Sequence, residues 1–74
     1  MDIEVYRHGI RYYFIDNDTQ EEGEIYLGTG EHGGEYYKYV DYIDMFSAGS
    51  QTNEELYDTY KNWLYDHIDE ILDC

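Results

Sequence analysis

Residues 52–73, TNEELYDTYKNWLYDHIDEILD, carry the strongest secondary-structure signal in the chain. Thr52 and Glu55 match the capping box that begins many helices. At about 100° per residue, seven side chains recur on one side: Leu56, Tyr60, Trp63, Leu64, His67, Ile68 and Ile71. The carboxylates recur on the other side: Glu54, Glu55, Asp58, Asp66, Asp69, Glu70 and Asp73. The segment therefore predicts one amphipathic helix from about Asn53 to Asp73, with an almost purely acidic outer side.

The first half of the chain favours β-strands. Ile3–Tyr6 and Ile10–Ile15 alternate apolar and polar residues, and Gly9 between them can adopt the positive φ of a hairpin turn. Glu24–Leu27 predicts a third, short strand. Glu35–Ile43, rich in Tyr and Val, predicts the longest strand. Together these segments predict an antiparallel sheet of three or four strands.

The connections between these elements are polar or rich in glycine. Asp16–Gly23, DNDTQEEG, predicts an acidic loop, and Gly28–Gly34, GTGEHGG, predicts a flexible turn. A helical turn is expected near Asp44–Phe46, and Ser47–Ser50 predicts a linker. The expected fold is α+β, a small antiparallel sheet with one C-terminal amphipathic helix packed on it. A length of 74 residues predicts a single domain that spans residues 1–74.

One glycine pattern resembles a dinucleotide-binding motif. Gly28, Gly30 and Gly33 spell G-x-G-x-x-G, which in such folds follows a strand and opens a helix that holds the pyrophosphate. Here a strand-like segment, EYYKYV at 35–40, follows the glycines, and Glu31 among them would repel phosphate. We therefore interpret the glycines as a turn and predict no cofactor site.

A second pattern resembles the start of a calcium-binding loop. Asp16 and Asp18 have the required spacing, but an EF-hand needs Gly at its sixth position and Glu at its twelfth. This chain has Glu21 and Leu27 there. The three histidines and Cys74 also lack a metal-ligand spacing. The sequence therefore predicts no metal site.

Catalysis has little support in the sequence. Nucleophilic chemistry needs a nucleophile, a base and an electrophilic stabiliser, and no motif such as G-x-S-x-G occurs. Carboxylate pairs are uninformative, because 18 acidic residues in 74 make close pairs by chance. A chain this short also rarely forms a substrate pocket. We predict a protein that is not an enzyme.

The single cysteine, Cys74, cannot form an internal disulfide. The first residues lack the basic and apolar segments of a signal peptide. No apolar run approaches the 18 residues of a membrane-spanning helix. These features predict a cytoplasmic protein without contact to a membrane.

Charge is the unusual property of this chain. It has 18 Asp and Glu against 4 Lys and Arg, for a formal net charge of −14. Such self-repulsion costs stability, so a benefit must offset it. Solubility or adaptation to high salt is the plain explanation, and a surface for a basic partner is the specific one. The negative electrostatic field of the chain argues against direct binding of nucleic acid, which is also negatively charged.

Acidic side chains can imitate the spacing of phosphates. Duplex DNA carries about one negative charge per 1.7 Å of axis, or one per roughly 3.4 Å on each strand. Carboxylates one helical turn apart lie about 5–6 Å from each other, and alternate strand residues lie about 6–7 Å apart. The predicted partner-binding residues are Asp16, Asp18, Glu21, Glu22, Glu24, Glu31, Glu35, Asp58, Asp66, Asp69, Glu70 and Asp73.

Small size, strong acidity and 11 tyrosines, with no catalytic motif, together resemble phage-encoded nucleic-acid-mimic inhibitors. That group includes anti-CRISPR proteins, anti-restriction proteins and inhibitors of uracil-DNA glycosylase. The resemblance is one of overall character across the chain. It implies a non-catalytic inhibitor, a monomer or small homodimer in the cytoplasm of the host bacterium. Its partner would be a basic nucleic-acid-binding protein such as a CRISPR effector, nuclease or restriction enzyme.

Three other functions remain open at the level of sequence. An acidic adaptor, regulatory subunit or antitoxin-like partner would join a complex without mimicking nucleic acid. A halophilic housekeeping domain would lose structure at low salt, because its charge is tolerable only when screened. A small enzyme is the third. Competition with nucleic acid on the partner separates a mimic from an adaptor.

Overall fold

The computed structural model describes residues 1–46 and 53–74. Within these ranges the elements are β1 (Ile3–His8), β2 (Arg11–Asp16), β3 (Glu21–His32), β4 (Glu35–Met45), α1 (Glu54–Asp66) and α2 (Ile68–Leu72). The strands form one antiparallel sheet in the order β1-β2-β3-β4. The predicted α+β class and antiparallel sheet are therefore confirmed, with four strands. The predicted linker Ser47–Ser50 and the predicted capping residue Thr52 lie outside the described residues.

The β1–β2 hairpin turns at the predicted glycine. Gly9 has a φ of +66°, a value that residues with a side chain rarely adopt. His8 pairs with Arg11 across the turn. Ile10, predicted as the first residue of the second strand, lies in this turn and is 95% exposed. That prediction is wrong because a two-residue turn takes both Gly9 and Ile10.

The predicted acidic loop Asp16–Gly23 is much shorter than expected. β3 begins at Glu21, and Gly23 pairs with Phe14 of β2. The loop prediction is wrong because Gly23 is a buried strand residue beneath the Phe14 ring. A Cβ on Gly23 would lie 2.6 Å from Phe14 Cε1, so only glycine leaves room for that ring.

The predicted flexible turn Gly28–Gly34 is also mostly strand. β3 continues to His32, and only two glycines at positive φ, residues 33 and 34, connect it to β4. Gly28 pairs with Tyr39, and Gly30 pairs with Tyr37. The tyrosine rings lie over the glycines, since a Cβ on Gly28 would meet Tyr39 Cζ at 2.6 Å. Aromatic coverage from the partner strand offsets the weak strand preference of glycine.

A β-bulge interrupts the long β3–β4 ladder. Tyr26 pairs with Tyr42, whereas the next residue, Leu27, pairs with Val40, so Asp41 is the additional residue on β4. The bulge keeps Val40 on the buried side of the sheet and Tyr42 on the other side, although the two are separated by two positions. β4 then continues to Met45 as a strand. The predicted helical turn at 44–46 is therefore wrong, because these residues pair with the start of β3.

The core joins one face of the sheet to both helices. Its fully or almost fully buried apolar residues are Phe14, Ile25, Val40, Ile43, Met45, Tyr60, Leu64 and Ile71. Partly buried side chains pack around them, among them Ile3 and Val5 of β1 and Leu56 and Trp63 of α1. Because side chains alternate along a strand, the residues adjacent to these on each strand point away from this core cluster.

The predicted single helix is two helices that meet at His67. The His67 backbone has φ −111° and ψ 33°, and its amide donates to the carbonyls of Trp63 and Leu64 at 3.1 and 3.2 Å. The His67 ring stacks on the Trp63 indole, with centroids 3.8 Å apart. The N-cap is Asn53, whose Oδ1 accepts from the Leu56 amide at 3.1 Å. The apolar side chains recur at helical spacing on both sides of His67, so the sequence gives no sign that the helix is interrupted there.

Side chains from the C-terminal region reach the two edge strands. The Ile43 amide of β4 donates to the Tyr57 hydroxyl at 3.3 Å. At the other side of the sheet, the Cys74 thiol lies 3.4 Å from the Val5 carbonyl of β1 and 3.3 Å from the Glu70 carbonyl, and its single proton can be donated to either. Edge-strand backbone groups are therefore partly engaged within the chain itself.

We expect Gly23→Ala to lower the free energy of unfolding by about 1–3 kcal/mol, because the new methyl would overpack the core. It would lie 2.8 Å from the Asp44 carbonyl oxygen as well as 2.6 Å from the buried Phe14 ring. Gly28→Ala is the matched control, since the three atoms nearest to its new methyl all belong to the half-exposed Tyr39 side chain, which can rotate away. Urea denaturation of both variants measures the difference. Equal stability of the two would contradict the packing described for Gly23.

Candidate interaction surface

Asp16, one of the predicted partner-binding residues, is buried with only 1% of its surface exposed. Its Oδ2 accepts from the Tyr60 hydroxyl at 2.7 Å, and its Oδ1 accepts from the Asp18 amide at 3.0 Å. Asp16 therefore connects the β2–β3 turn to helix α1 and cannot contact a partner. The prediction for this residue is wrong because the carboxylate serves the fold.

The Asp16–Tyr60 pair is electrostatically matched. Burial alone would raise the pKa of Asp16, but the hydrogen bonds from Tyr60 and the Asp18 amide outweigh it and lower that pKa. Burial raises the pKa of Tyr60 to about 12, and its bond to Asp16 adds to the increase. The tyrosine therefore remains a proton donor and the aspartate an anion across the neutral pH range.

Glu24 is a second predicted contact that the structure largely encloses. The residue is 9% exposed, and its Oε1 lies 3.9 Å from Arg11 Nη1. Its cross-strand neighbours are Tyr13 on β2 and Asp44 on β4. The Glu24 carboxylate therefore adds negative charge to its side of the sheet but does not project freely into solvent.

The other predicted residues lie on several separate parts of the molecule. The predicted carboxylates in and directly after the helices are all exposed: Asp58, Asp66, Asp69, Glu70 and Asp73. Glu31 and Glu35 are exposed near the β3–β4 turn, and Asp18 is exposed in the β2–β3 turn. Glu21 and Glu22 are half-buried neighbours on β3, so they project to opposite faces of the sheet. The structure does not bring the predicted set into one continuous patch.

The sheet has a second face, which the sequence analysis did not single out. We call it the tyrosine face and define it by eight of the residues that point away from the core cluster: Glu4, Tyr6, Tyr13, Glu22, Glu24, Tyr26, Tyr42 and Asp44. One cross-strand row runs from Tyr6 through Tyr13 and Glu24 to Asp44. Along this row two aromatic rings on β1 and β2 are followed by two carboxylates on β3 and β4.

Ring contacts organise this face. Tyr6 stacks on Tyr13 with centroids 5.4 Å apart, and Tyr26 stacks on Tyr42 at 4.4 Å with the planes only 10° from parallel. Phe46 extends the first pair, 6.3 Å from Tyr13. Pairs of this kind add about 0.5–1.5 kcal/mol beyond the area that they bury. The rings therefore hold one another in place before any partner arrives.

Two tyrosines of this face, Tyr6 and Tyr26, have a raised pKa and stay protonated at neutral pH. Burial raises the pKa of Tyr26, and the nearby Glu24 carboxylate raises it further. Burial likewise raises the pKa of Tyr6, with Glu22 as the next contribution. The negative charge of the face therefore comes from its carboxylates, while the hydroxyls can donate hydrogen bonds.

A sequence signal for this face exists in the strand alternation. Tyr6, Tyr13 and Tyr42 occupy strand positions next to core residues, where a solvent-facing sheet would normally have polar side chains. Tyrosine at such positions gives an aromatic surface with polar tips. The charge pattern does not indicate this face, because the acidic residues are spread over the whole chain.

Among residues 1–46 and 53–74, no group of three or more His, Cys, Asp or Glu side chains is arranged to hold a metal ion. In the same part of the chain, no helix has the length and apolar character needed to cross a membrane.

The chain matches no protein-family model, no curated protein and no solved structure.

Proposed function

We propose that this protein is a non-catalytic inhibitor that occupies a basic nucleic-acid-binding surface of a host defence protein. A CRISPR effector, a nuclease or a restriction enzyme has such a surface. The observation that carries the proposal is a net charge of −14 whose carboxylates are displayed on ordered strands and helices. Fixed anions of this kind imitate the phosphate backbone that the partner normally holds.

The fold supports this role because it avoids an ordering cost on binding. A flexible acidic tail would lose conformational entropy when it docks, whereas carboxylates on a packed sheet and helices are already positioned. In the proposed arrangement the two C-terminal helices act as one amphipathic unit. It rests on the sheet through Tyr60, Leu64 and Ile71 and leaves the acidic sides outward.

In this proposal the carboxylates increase the association rate, and the aromatic side chains supply the contact energy. Electrostatic steering accelerates association by about 10–10³-fold. Buried aromatic side chains, rather than rim charges, usually supply most of the contact energy. The proposed partners place the protein in the cytoplasm of a bacterial cell, encoded there by a phage, as a monomer or small homodimer.

The experiment that tests the function is competition on a recovered partner. The immobilised protein is exposed to bacterial lysate, the retained proteins are identified, and one is purified with its own DNA or RNA ligand. Nucleic acid and this protein should exclude one another on that partner. Simultaneous binding would contradict mimicry and favour the acidic adaptor.

Salt dependence gives a second expected result for the same pair. Raising the ionic strength from about 0.1 to 1 M shortens the Debye length from about 10 to 3 Å. We therefore expect the association rate to fall at least tenfold, as measured by surface plasmon resonance. Circular dichroism over the same range is the control, because a halophilic domain would instead lose its structure at low salt. An association rate that does not change with salt would remove the electrostatic basis of the proposal.

A further inference from the structure

The tyrosine face combines two features that rarely occur together on a solvent-facing sheet. Its rings are accessible, with Tyr6 40% and Tyr42 46% exposed. Carboxylates lie beside the rings, since Glu24 pairs with Tyr13 across the strands and Asp44 is two positions from Tyr42 on the same face of β4. A ligand on this face would therefore meet an aromatic plane and an anion at the same place.

That combination suits a guanidinium group better than an ammonium group. Arginine presents a flat cation that stacks on an aromatic ring and donates two parallel hydrogen bonds to a carboxylate. Lysine presents a compact, strongly hydrated charge that gains less from a ring. Charge alone would attract both residues equally, so any difference comes from ring stacking and from the paired hydrogen bonds of the guanidinium.

The chain already places one of its own arginines at the margin of this face. Arg11 Nη1 lies 3.9 Å from Glu24 Oε1, and the Arg11 side chain remains 66% exposed. An ion pair this exposed to solvent contributes little binding energy. It places a guanidinium within ion-pair distance of the Glu24 carboxylate on this face.

The two stacked ring pairs provide two places for such a group. Tyr6 and Tyr13 span β1 and β2, whereas Tyr26 and Tyr42 span β3 and β4. Two strand spacings separate the pairs, which is about 10 Å across the sheet. A partner segment with two arginines can therefore engage both pairs at once, and the second contact benefits from the first.

We propose that the tyrosine face is a docking surface for an arginine-bearing segment of the partner, and that it selects arginine over lysine. The inference deepens the proposed function and rests on it for the identity of the partner as a nucleic-acid-binding protein. The recognition chemistry itself, ring stacking beside a carboxylate, rests on the contacts of this face alone.

Matched peptides test the selection directly. Nona-arginine and nona-lysine have the same length and charge, and each is titrated into the protein at about 0.15 M salt by isothermal calorimetry. We expect nona-arginine to bind about fivefold more tightly. Tyr42→Thr and, separately, Tyr6→Thr should reduce this ratio towards one. Tyr65→Gln, which removes an exposed tyrosine from helix α1, should leave the ratio unchanged.

Three results would overturn the inference. The first is equal affinity of the wild-type protein for the two peptides. The second is an unchanged ratio in both folded tyrosine-face variants, with folding verified by circular dichroism. The third is a shift of amide resonances by nona-arginine at helix residues and not at tyrosine-face residues. The last measurement uses the wild-type protein, so it decides the matter even if a variant fails to fold.

The peptide experiment and the competition experiment can fail independently. A partner that binds nucleic acid and this protein together would contradict the inhibitor function while the arginine preference persisted. Absence of the preference, with competition intact, would overturn the docking chemistry and leave charge mimicry as the mechanism.

Discussion

Tyr60→Ala should lower the free energy of unfolding by about 3–5 kcal/mol, the range found for removing large aromatic side chains from a core. Tyr60 is fully buried, and its ring lies 5.5 Å from that of Phe14. The change also leaves the buried Asp16 carboxylate without its 2.7 Å hydrogen bond, which adds a desolvation cost. For a domain whose total stability is about 5–15 kcal/mol, such a loss approaches global unfolding.

Two companion variants make this result interpretable. Tyr60→Phe keeps the ring and removes only the hydroxyl, so we expect a smaller loss of about 1–3 kcal/mol. Tyr65→Ala removes an exposed tyrosine from the same helix and should change stability by less than about 1 kcal/mol. Urea denaturation at neutral pH measures all three. If Tyr60→Ala and Tyr65→Ala proved equally mild, the helix would not contact the sheet as described.

Removing charge from the tyrosine face should slow association with the recovered partner about tenfold. The variant combines Glu4→Gln, Glu22→Gln and Asp44→Asn, which keep the side-chain shapes. Most of the effect should appear in the association rate rather than in the dissociation rate. Surface plasmon resonance at about 0.1 M salt separates the two rates.

A second triple variant is the control for overall charge. Asp58→Asn, Asp66→Asn and Asp69→Asn remove the same number of charges from the exposed side of the helices. Because net charge changes equally, any difference between the variants reports the binding face. We expect the helix variant to slow association less than the sheet variant does. A larger effect from the helix variant would place the interface on the helices and contradict the assignment to the sheet.

Local rules were enough to predict the first hairpin. Gly9 must adopt a positive φ there, and the flanking residues alternate. The same local rules failed at Gly28 and Gly30, because a glycine-rich segment has no strand preference of its own. What keeps these residues extended is the pair of rings from Tyr39 and Tyr37 on the next strand. That cause is non-local, and only the register of β3 on β4 makes it visible.

The helical segment shows a similar limit. Its apolar period predicts which side chains turn inward, but it carries no information about the backbone at His67, where the helix is interrupted. Trp63 is the largest side chain on the predicted apolar side, and a fully buried position there would make its replacement by Ala cost about 3–5 kcal/mol. In the structure Trp63 is half-buried against His67, and the central position belongs to Tyr60.

The binding surface was the hardest feature to predict. With 18 acidic residues available, a charge argument cannot distinguish an exposed carboxylate from Asp16, which the fold uses internally. Stacking of Tyr26 on Tyr42 depends on the bulge at Asp41, which aligns the two rings. No periodicity in the sequence marks a bulge.

The contacts at the two edge strands bear on how this protein behaves when it is abundant. Tyrosine-rich strands with unpaired backbone groups are templates for fibril growth, because each new chain extends the ladder of hydrogen bonds. Here an incoming strand at β4 would have to displace the Tyr57 hydroxyl from the Ile43 amide, and at β1 the Cys74 thiol from the Val5 carbonyl. It would also approach a molecule with the same net charge of −14. Edge contacts and like-charge repulsion together oppose the first step of amyloid nucleation at high cellular concentration.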